Sequence, residues 1–600
     1  MSEVKKLKTR DEIDNMYKWN VEKMYKNLAE WEEKFEILKS KAPKMQEFSG
    51  KLGTAEELLS FLESNVEIER LLDKLLVYAH LRGDEDTGNA KYQVLKNKID
   101  AYAAEVSSFT AFFVPELLEL KEGTVEEAIN KLVKLKVYEF YLLDILKQKP
   151  HILSSEGEKL LASVSDCLNA PGNIFSMLTN ADMTFPNIKD EKGNEIELTE
   201  GNYSNFIKSK DRRVRKDAFE TLFGTYKGFS NTLTMSLTSS IKNFIFNAKT
   251  RNYSCALESS LKPNNIPVEV FQNVVDTINN NLPSLHKYVS LKKKLLGLSE
   301  IHMYDLYVPI VEAEEDHIEY EDAVKIALDG IKPLGEEYLS IFKDGINEGW
   351  VDVFQNKGKR SGAYSWGCYD SMPYVLLNYN YHLNDASTLA HEMGHSIHSY
   401  YSRKNQPYVY SRYELFCAEV ASITNECLLI DHLIKNESDK KKKLFLINQQ
   451  LEGIRTTVFR QCMFAEFEKI THEKIEQGSP LSPEDLCNIY HDLNVKYFGT
   501  EMVVDEGIDM EWSRIPHFYN DFYVYQYTTG FAAANSFSKM IVEEGESAVE
   551  KYIGFLKSGG SDYPINILKK AGVDMSTPKP LEDTIKRFDE LLGMLEKELK

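Results

Sequence analysis

The sequence has no long apolar run. No stretch approaches the roughly 18 residues that a membrane-spanning helix needs. The first ten residues, Met-Ser-Glu-Val-Lys-Lys-Leu-Lys-Thr-Arg, contain no apolar core of a secretory leader. A basic patch is also missing. Lys and Arg number 72 against 93 Asp and Glu, so the net charge is −21. A phosphate backbone needs clustered cations, so nucleic acid is not expected as a partner, and the lack of a long apolar run makes a membrane equally unexpected. The one run of like charge, Lys440 to Lys443, follows Glu437 and Asp439, and 436–443 reads as a solvated loop. The seven cysteines, at 167, 255, 368, 417, 427, 462 and 487, include no Cys-x-x-Cys pair. An odd, scattered set argues against a disulfide framework and for reduced thiols in the cytoplasm.

Proline is sparse, 18 in 600, and sits mainly between segments with helical spacing. Neither an internal repeat nor a low-complexity tract interrupts the chain. What remains is a long, acidic, mainly helical sequence with enough apolar residues for a large, multi-lobed molecule. Residues 56–82, 89–120 and 124–147 carry apolar side chains every three or four positions, which predicts helices. Two places read as strand. The first is a hairpin over 183–199 with Gly193 in its turn. The second is the aromatic segment 362–380, punctuated by Gly362, Gly367 and Pro373. A boundary near 195 would separate an N-terminal helical domain, 1–195, from a larger domain, 196–600.

Residues 391–395 read His-Glu-Met-Gly-His. On a helix, histidines at i and i+4 project from one face and can share a metal ion. Asn384 or Asp385 can cap the start of such a helix. At about 100° per residue, His391, His395 and His398 fall within an arc of about 60°, opposite Leu389, Met393 and Ile397. Neutral imidazole suits zinc. A catalytic zinc takes three protein ligands and keeps one position for water, whose pKa it lowers toward neutrality. Glu392, next to the first histidine, can act as general base on that water and pass the proton to a leaving amine.

A third ligand is required. The metzincin pattern would need Gly at 398 and His at 401, where this chain has His398 and Tyr401. The apolar segment 411–430 instead carries Glu414, Glu419 and Glu426. A carboxylate in an apolar helix is costly unless it is paired or metal-bound. Glu419, between Ala418 and Val420, has the most core-like setting, with an ion pair to an arginine as the alternative reading. Glu426, seven residues on, could accept from the second nitrogen of a ligand imidazole. Glu414 reads as a polar residue at the helix start. His472-Glu473 has no second histidine at 476 and reads as a surface pair.

Several segments resemble oligoendopeptidase F, of the thimet oligopeptidase-like zinc peptidases. They are Arg360-Ser-Gly-Ala-Tyr-Ser365, Pro373-Tyr-Val-Leu-Leu-Asn-Tyr379, Leu389-Ala-His-Glu-Met-Gly-His-Ser-Ile-His398, Phe416-Cys-Ala-Glu-Val-Ala-Ser422 and His517-Phe-Tyr-Asn-Asp-Phe-Tyr-Val-Tyr-Gln-Tyr527. The resemblance spans nearly the whole chain. It implies one zinc ion held by His391, His395 and Glu419, with Glu392 as base. It implies a mainly α, two-lobed metallopeptidase with a deep substrate cleft and a small antiparallel sheet near the zinc. It also implies that His517, Tyr523 and Tyr527 donate to the oxyanion of the scissile carbonyl. Read alone, 517–527 could be an aromatic core stripe. Residues 362–366 resemble the family's substrate-side strand, whose free edge could pair with a peptide, with an internal strand as the alternative reading. The loop Asn380-Tyr-His-Leu-Asn-Asp385 departs from the family, which has Gly-Thr at 381–382, and His382 there reads as a loop residue.

The expected activity is therefore zinc-dependent endopeptidase cleavage of oligopeptides. A zinc carboxypeptidase would need a cation for the substrate's terminal carboxylate. A non-catalytic peptide-binding protein would have no use for Glu392. Oligomeric state is not legible.

Overall fold

The computed structural model describes residues 6–311 and 317–598. The fold is mainly α, as expected. Contacts divide it into two compact units, each built from three segments. One comprises Met1–Lys149, Glu315–His432 and Phe537–Val573; the other comprises Pro150–Glu314, Leu433–Ser536 and Asp574–Lys600. Residue 195 falls inside the first segment of the second unit.

In the first unit, the helix Ala55–Glu85 starts where the Thr54 hydroxyl accepts the Glu57 N–H at 3.3 Å. Its apolar face, including Leu58, Phe61, Leu62, Leu72 and Leu75, enters a core shared with Trp19, Trp31 and Phe35. The helices expected over 89–120 and 124–147 are each broken. The first divides into Ala90–Thr110 and Phe113–Glu119, and the second into Thr124–Lys131, a 3-10 stretch Val133–Tyr138 and Glu139–Lys147.

The segment 362–380 supplies two strands of a three-stranded sheet. Tyr374–Tyr379 is central and buried along most of its length. Tyr364–Trp366 pairs antiparallel with it, Tyr364 opposite Leu376 and Trp366 opposite Tyr374. On the other side Val351–Phe354 pairs parallel, so the sheet is mixed and not antiparallel as expected. The chain reverses direction at 355–363 and again at 367–373. Two reversals return it to its first direction, and the strand between them lies on the far edge. The Val351–Phe354 side is covered by the N-terminal segment: Asn20 donates its N–H to the Gly349 carbonyl at 2.7 Å, and Trp19 to Asp352 Oδ2 at 3.4 Å. The Tyr364–Trp366 strand is the other edge.

In the second unit, the expected hairpin is present, with Asn187–Lys189 antiparallel to Glu195–Glu197 and Gly193 at φ +83°. Lys440 to Lys443 are not a loop. They form the first turn of a helix Lys440–Ile454, because Asp439 accepts the Lys442 N–H at 2.8 Å and caps it. His472 is buried, not at the surface, because the helix Arg460–Glu476 turns it inward while Glu473 faces out. None of the cysteines forms a disulfide among the described residues, and no described helix is long and apolar enough to cross a membrane.

Candidate metal centre

The central strand ends at Tyr379, and the helix that carries the two histidines, Leu383–Asn405, begins after three intervening residues. The turn between them is fixed by one carboxylate. Asp385 Oδ2 accepts the N–H of Asn380 at 3.0 Å and of His382 at 2.9 Å. The capping position is therefore His382, with Asp385 reaching back from the first turn; Asn384 and Asp385 do not occupy it. Tyr381 takes φ +66° and stacks on His317 at 4.6 Å, which gives the departing loop its path. His382 is exposed and outside the metal-ligating group. The helix rests on the sheet, where Ser396 and Ser365 hydroxyls meet at 2.8 Å.

A second helix, Leu415–Asn436, begins just after Glu414 and crosses the first at very close range. A Cβ on Gly394 would lie 2.6 Å from the Ser422 Cα and 2.9 Å from the Ala421 carbonyl oxygen. Only glycine permits this approach. It brings Glu419 to the histidines, with His391 Nε2 and His395 Nε2 each 3.5 Å from Glu419 Oε2. One ligand atom from each of the three residues lies within 4.8 Å of the other two. Two ligands bound tetrahedrally at about 2.0–2.1 Å stand about 3.4 Å apart, so the donor set fits a zinc-sized ion. Glu419 pairs with no arginine among the described residues. Ser422 donates to its Oε2 at 3.1 Å.

Glu426 Oε1 lies 3.4 Å from His391 Nδ1, as its seven-residue spacing from Glu419 suggested. Burial alone would raise the Glu419 carboxyl. The hydrogen bond and charge of His395, then His391 and Ser422, pull it down to about 2. Burial would lower His391, yet Glu426, Glu392 and Glu419 raise it to about 9. Glu392 is buried at 7% exposure, and that burial raises its carboxyl against the pull of His391 and His395. A buried carboxylate biased toward taking a proton is what a general base needs.

His398 does not share the open face with His391 and His395. It is 1% exposed, stacks on Tyr413 at 3.7 Å, and burial lowers it to about 3. The second helix and Phe555 cover that side of the arc, so the helix lacks the single core face the pattern suggested. The sequence reading also missed Asn425, which donates to the Ala390 carbonyl at 2.9 Å and accepts from Tyr338 at 3.0 Å. A buried asparagine six residues after a candidate ligand was the available signal.

In the second unit His517, Tyr523 and Tyr527 form one cluster. The His517 ring lies 5.8 Å from Tyr523 and 5.9 Å from Tyr527, and Tyr527 Oη is 3.3 Å from His517 Nε2. Burial, with Arg460 adding to it, lowers His517 and favours neutral imidazole.

The sequence profile of Peptidase family M3 matches residues 205–587, and that of Oligopeptidase F matches 116–185. Oligopeptidase PepF of Bacillus subtilis is 47% identical over 99% of this chain and 90% of its own. Group B oligopeptidase PepB of Streptococcus agalactiae is 40% identical over 98% of both. The crystal structure of oligoendopeptidase-F from Enterococcus faecium, 37% identical, matches 95% of this chain and 99% of its own with a TM-score of 0.73. The chain belongs to peptidase family M3, among its oligoendopeptidase F members, and is a peptidase.

Proposed function

We propose that this chain is a zinc metalloendopeptidase that hydrolyses short oligopeptides in the cytoplasm, with zinc held by His391, His395 and Glu419. The observation that carries this is the convergence of two imidazole nitrogens, one helical turn apart, on a single oxygen of Glu419 at 3.5 Å. When bound, zinc supplies a Lewis acid that polarises a peptide carbonyl and brings the pKa of water toward neutrality. Glu392 takes the proton that water loses on attacking the carbonyl carbon, and delivers it to the amine nitrogen as the C–N bond breaks. His517, Tyr523 and Tyr527 donate hydrogen bonds to the carbonyl oxygen as its charge grows. Glu426 holds Nδ1 of His391 and fixes its tautomer. The edge strand Tyr364–Trp366 pairs with the substrate backbone, which gives affinity without strict side-chain preference.

Glu392→Gln tests the assignment. The variant is expected to keep one zinc per chain by metal analysis and to lose hydrolysis by at least about 1000-fold, a general base being worth about 100- to 10000-fold. Retained hydrolysis would remove Glu392 from its role. Cleavage of a peptide blocked at both ends separates endopeptidase from obligate carboxypeptidase action.

A further inference from the structure

Beneath the segment that carries His517 and Tyr523 lies a buried group that the reaction as described does not use. Glu468 and His472 stand one turn apart on the helix Arg460–Glu476, each 2% exposed. Glu468 Oε1 accepts the N–H of Phe522 at 2.7 Å. Phe522 holds φ +47°, a left-handed conformation that a phenylalanine adopts only when its surroundings impose it. Its ring is clamped by His472 at 4.6 Å and Phe271 at 5.6 Å. His472 Nδ1 lies 2.8 Å from the Glu468 carbonyl oxygen. A carbonyl only accepts, so Nδ1 carries the proton and Nε2 presents a lone pair. That Nε2 faces Asp521 Oδ1 at 3.7 Å, and neither atom has a hydrogen-bond partner among the described residues.

We propose that Glu468 is a positioning residue for the peptidase reaction. Its carboxyl holds the Phe522 N–H, locks the left-handed bend there, and so sets His517, Tyr523 and Tyr527. Beside it, Asp521 Oδ1 faces the lone pair of His472 Nε2 at 3.7 Å, an approach that a neutral carboxyl tolerates and a carboxylate opposes, so loss of that proton opens the bend. The proposal rests on the reading of those three rings as donors to the reacting carbonyl.

The bend sits between them in the chain. Asn520 donates its N–H to the His517 carbonyl at 2.9 Å, and Tyr523 to the Asn520 carbonyl at 3.3 Å. Rotation at Phe522 therefore moves both neighbours. Among the described residues neither Glu468 nor Asp521 has a Lys or Arg partner. Lys469 turns away to Gln272 and Glu473, and Glu476 is engaged by the Ala256 N–H at 2.8 Å. The helix Ala256–Leu261 contributes Ser260, whose hydroxyl donates to the Asp521 carbonyl at 3.0 Å, and Glu258, which is paired with Lys262. Helices Ser230–Thr250 and Val268–Asn280 contribute the rings of Phe244 and Phe271. Burial, and then Asp521, raises Glu468 well above the carboxylate range; burial, and then Glu476, pushes Asp521 up to about 8. A neutral Asp521 has an O–H to offer Nε2. An ionised one would face a lone pair and a second buried carboxyl.

The test uses the zinc-loaded full chain and a peptide blocked at both ends. Glu468→Leu is expected to lower kcat by about 100-fold, the scale of a 1 Å misplacement, with KM little changed. It should also speed hydrogen exchange across 516–527. Glu468→Gln, which keeps the acceptor, should restore both. Wild-type kcat should fall above about pH 8, and Asp521→Asn, which cannot ionise, should lack that limb. Wild-type exchange and kcat in Glu468→Leu would overturn the proposal. If that variant does not fold, an unchanged alkaline limb in Asp521→Asn would overturn it. Faster exchange with intact kcat also overturns it, and His517→Ala then identifies the failed premise. Lost activity there leaves the reading of His517 standing and condemns positioning, whereas retained activity condemns the reading of His517.

Discussion

A methyl group at position 394 has nowhere to go. It would meet the Cα of Ser422, part of the opposite helix backbone, so it cannot be absorbed by a side-chain rotation. Gly394→Ala must push the two helices apart, and Glu419 rides on the one displaced. The expected outcome is a stability loss of about 1–3 kcal/mol, the range for overpacking, together with weaker zinc binding. Urea unfolding and competition against a coloured chelator measure the two; wild-type affinity would show that the close crossing does not set the ligand distance. His472 gives a second prediction at this scale. Burial depresses it to about 4, while an unfolded imidazole titrates near 6.5. Between those values the unfolded chain binds a proton that the native chain does not. Stability therefore falls as pH drops from about 6.5 toward 4, by on the order of 3 kcal/mol, with no loss from this group above 6.5. Asp521 has the opposite sign, since its raised pKa contributes stability that is lost as pH rises through about 8. His472→Gln should lose less stability than wild type between pH 7 and pH 5. Equal losses in urea midpoint would locate the acid sensitivity elsewhere.

At the scale of elements, the sequence disclosed what local spacing can encode. His391 and His395 announced their shared direction because four residues make about one helical turn. Glu419 and Glu426 stood out because carboxylates are out of place in an apolar helix. The crossing at Gly394, which makes these two helices one site, left only a glycine as its trace. The mixed sheet was illegible for a related reason: strand direction is fixed by where loops cross, not by the strands' own residues. The edge strand Tyr364–Trp366 leads to a prediction about substrates. Along an extended strand, successive N–H groups point in opposite directions, so only alternate residues of a paired peptide donate to the edge. Single backbone N-methylation, moved one residue at a time along a peptide substrate, should raise KM several-fold at alternate positions, each removing a hydrogen bond worth about 1 kcal/mol. A flat response along the peptide would exclude strand pairing as the mode of binding.

At the scale of the whole molecule, each compact unit is assembled from three segments, and even within one of them, Leu433–Ser536, sequence reading loses resolution as the separation grows. Glu468 and Asp521 are 53 positions apart, and nothing in either neighbourhood marks the other. His391 and Glu419 are only 28 apart, within two consecutive helices, and their relation was readable. The same contrast predicts what zinc does to the fold. The three proposed ligands would tie together two helical stretches of one unit, Leu383–Asn405 and the part of Leu415–Asn436 up to His432. A ligand that binds only the native state stabilises it by RT ln(1 + [L]/Kd), about 4 kcal/mol at a thousandfold excess over Kd. Zinc added to chelator-stripped protein should raise the thermal midpoint, and slowed hydrogen exchange should concentrate in peptides from 383–432. Glu392→Gln should keep the whole effect, because Glu392 is assigned to the proton and not to the metal. Glu419→Gln should lose most of it, since a neutral amide is a poor zinc ligand. Protection spread evenly over both units, or undiminished in Glu419→Gln, would mean that the ion is held somewhere other than between these two helices.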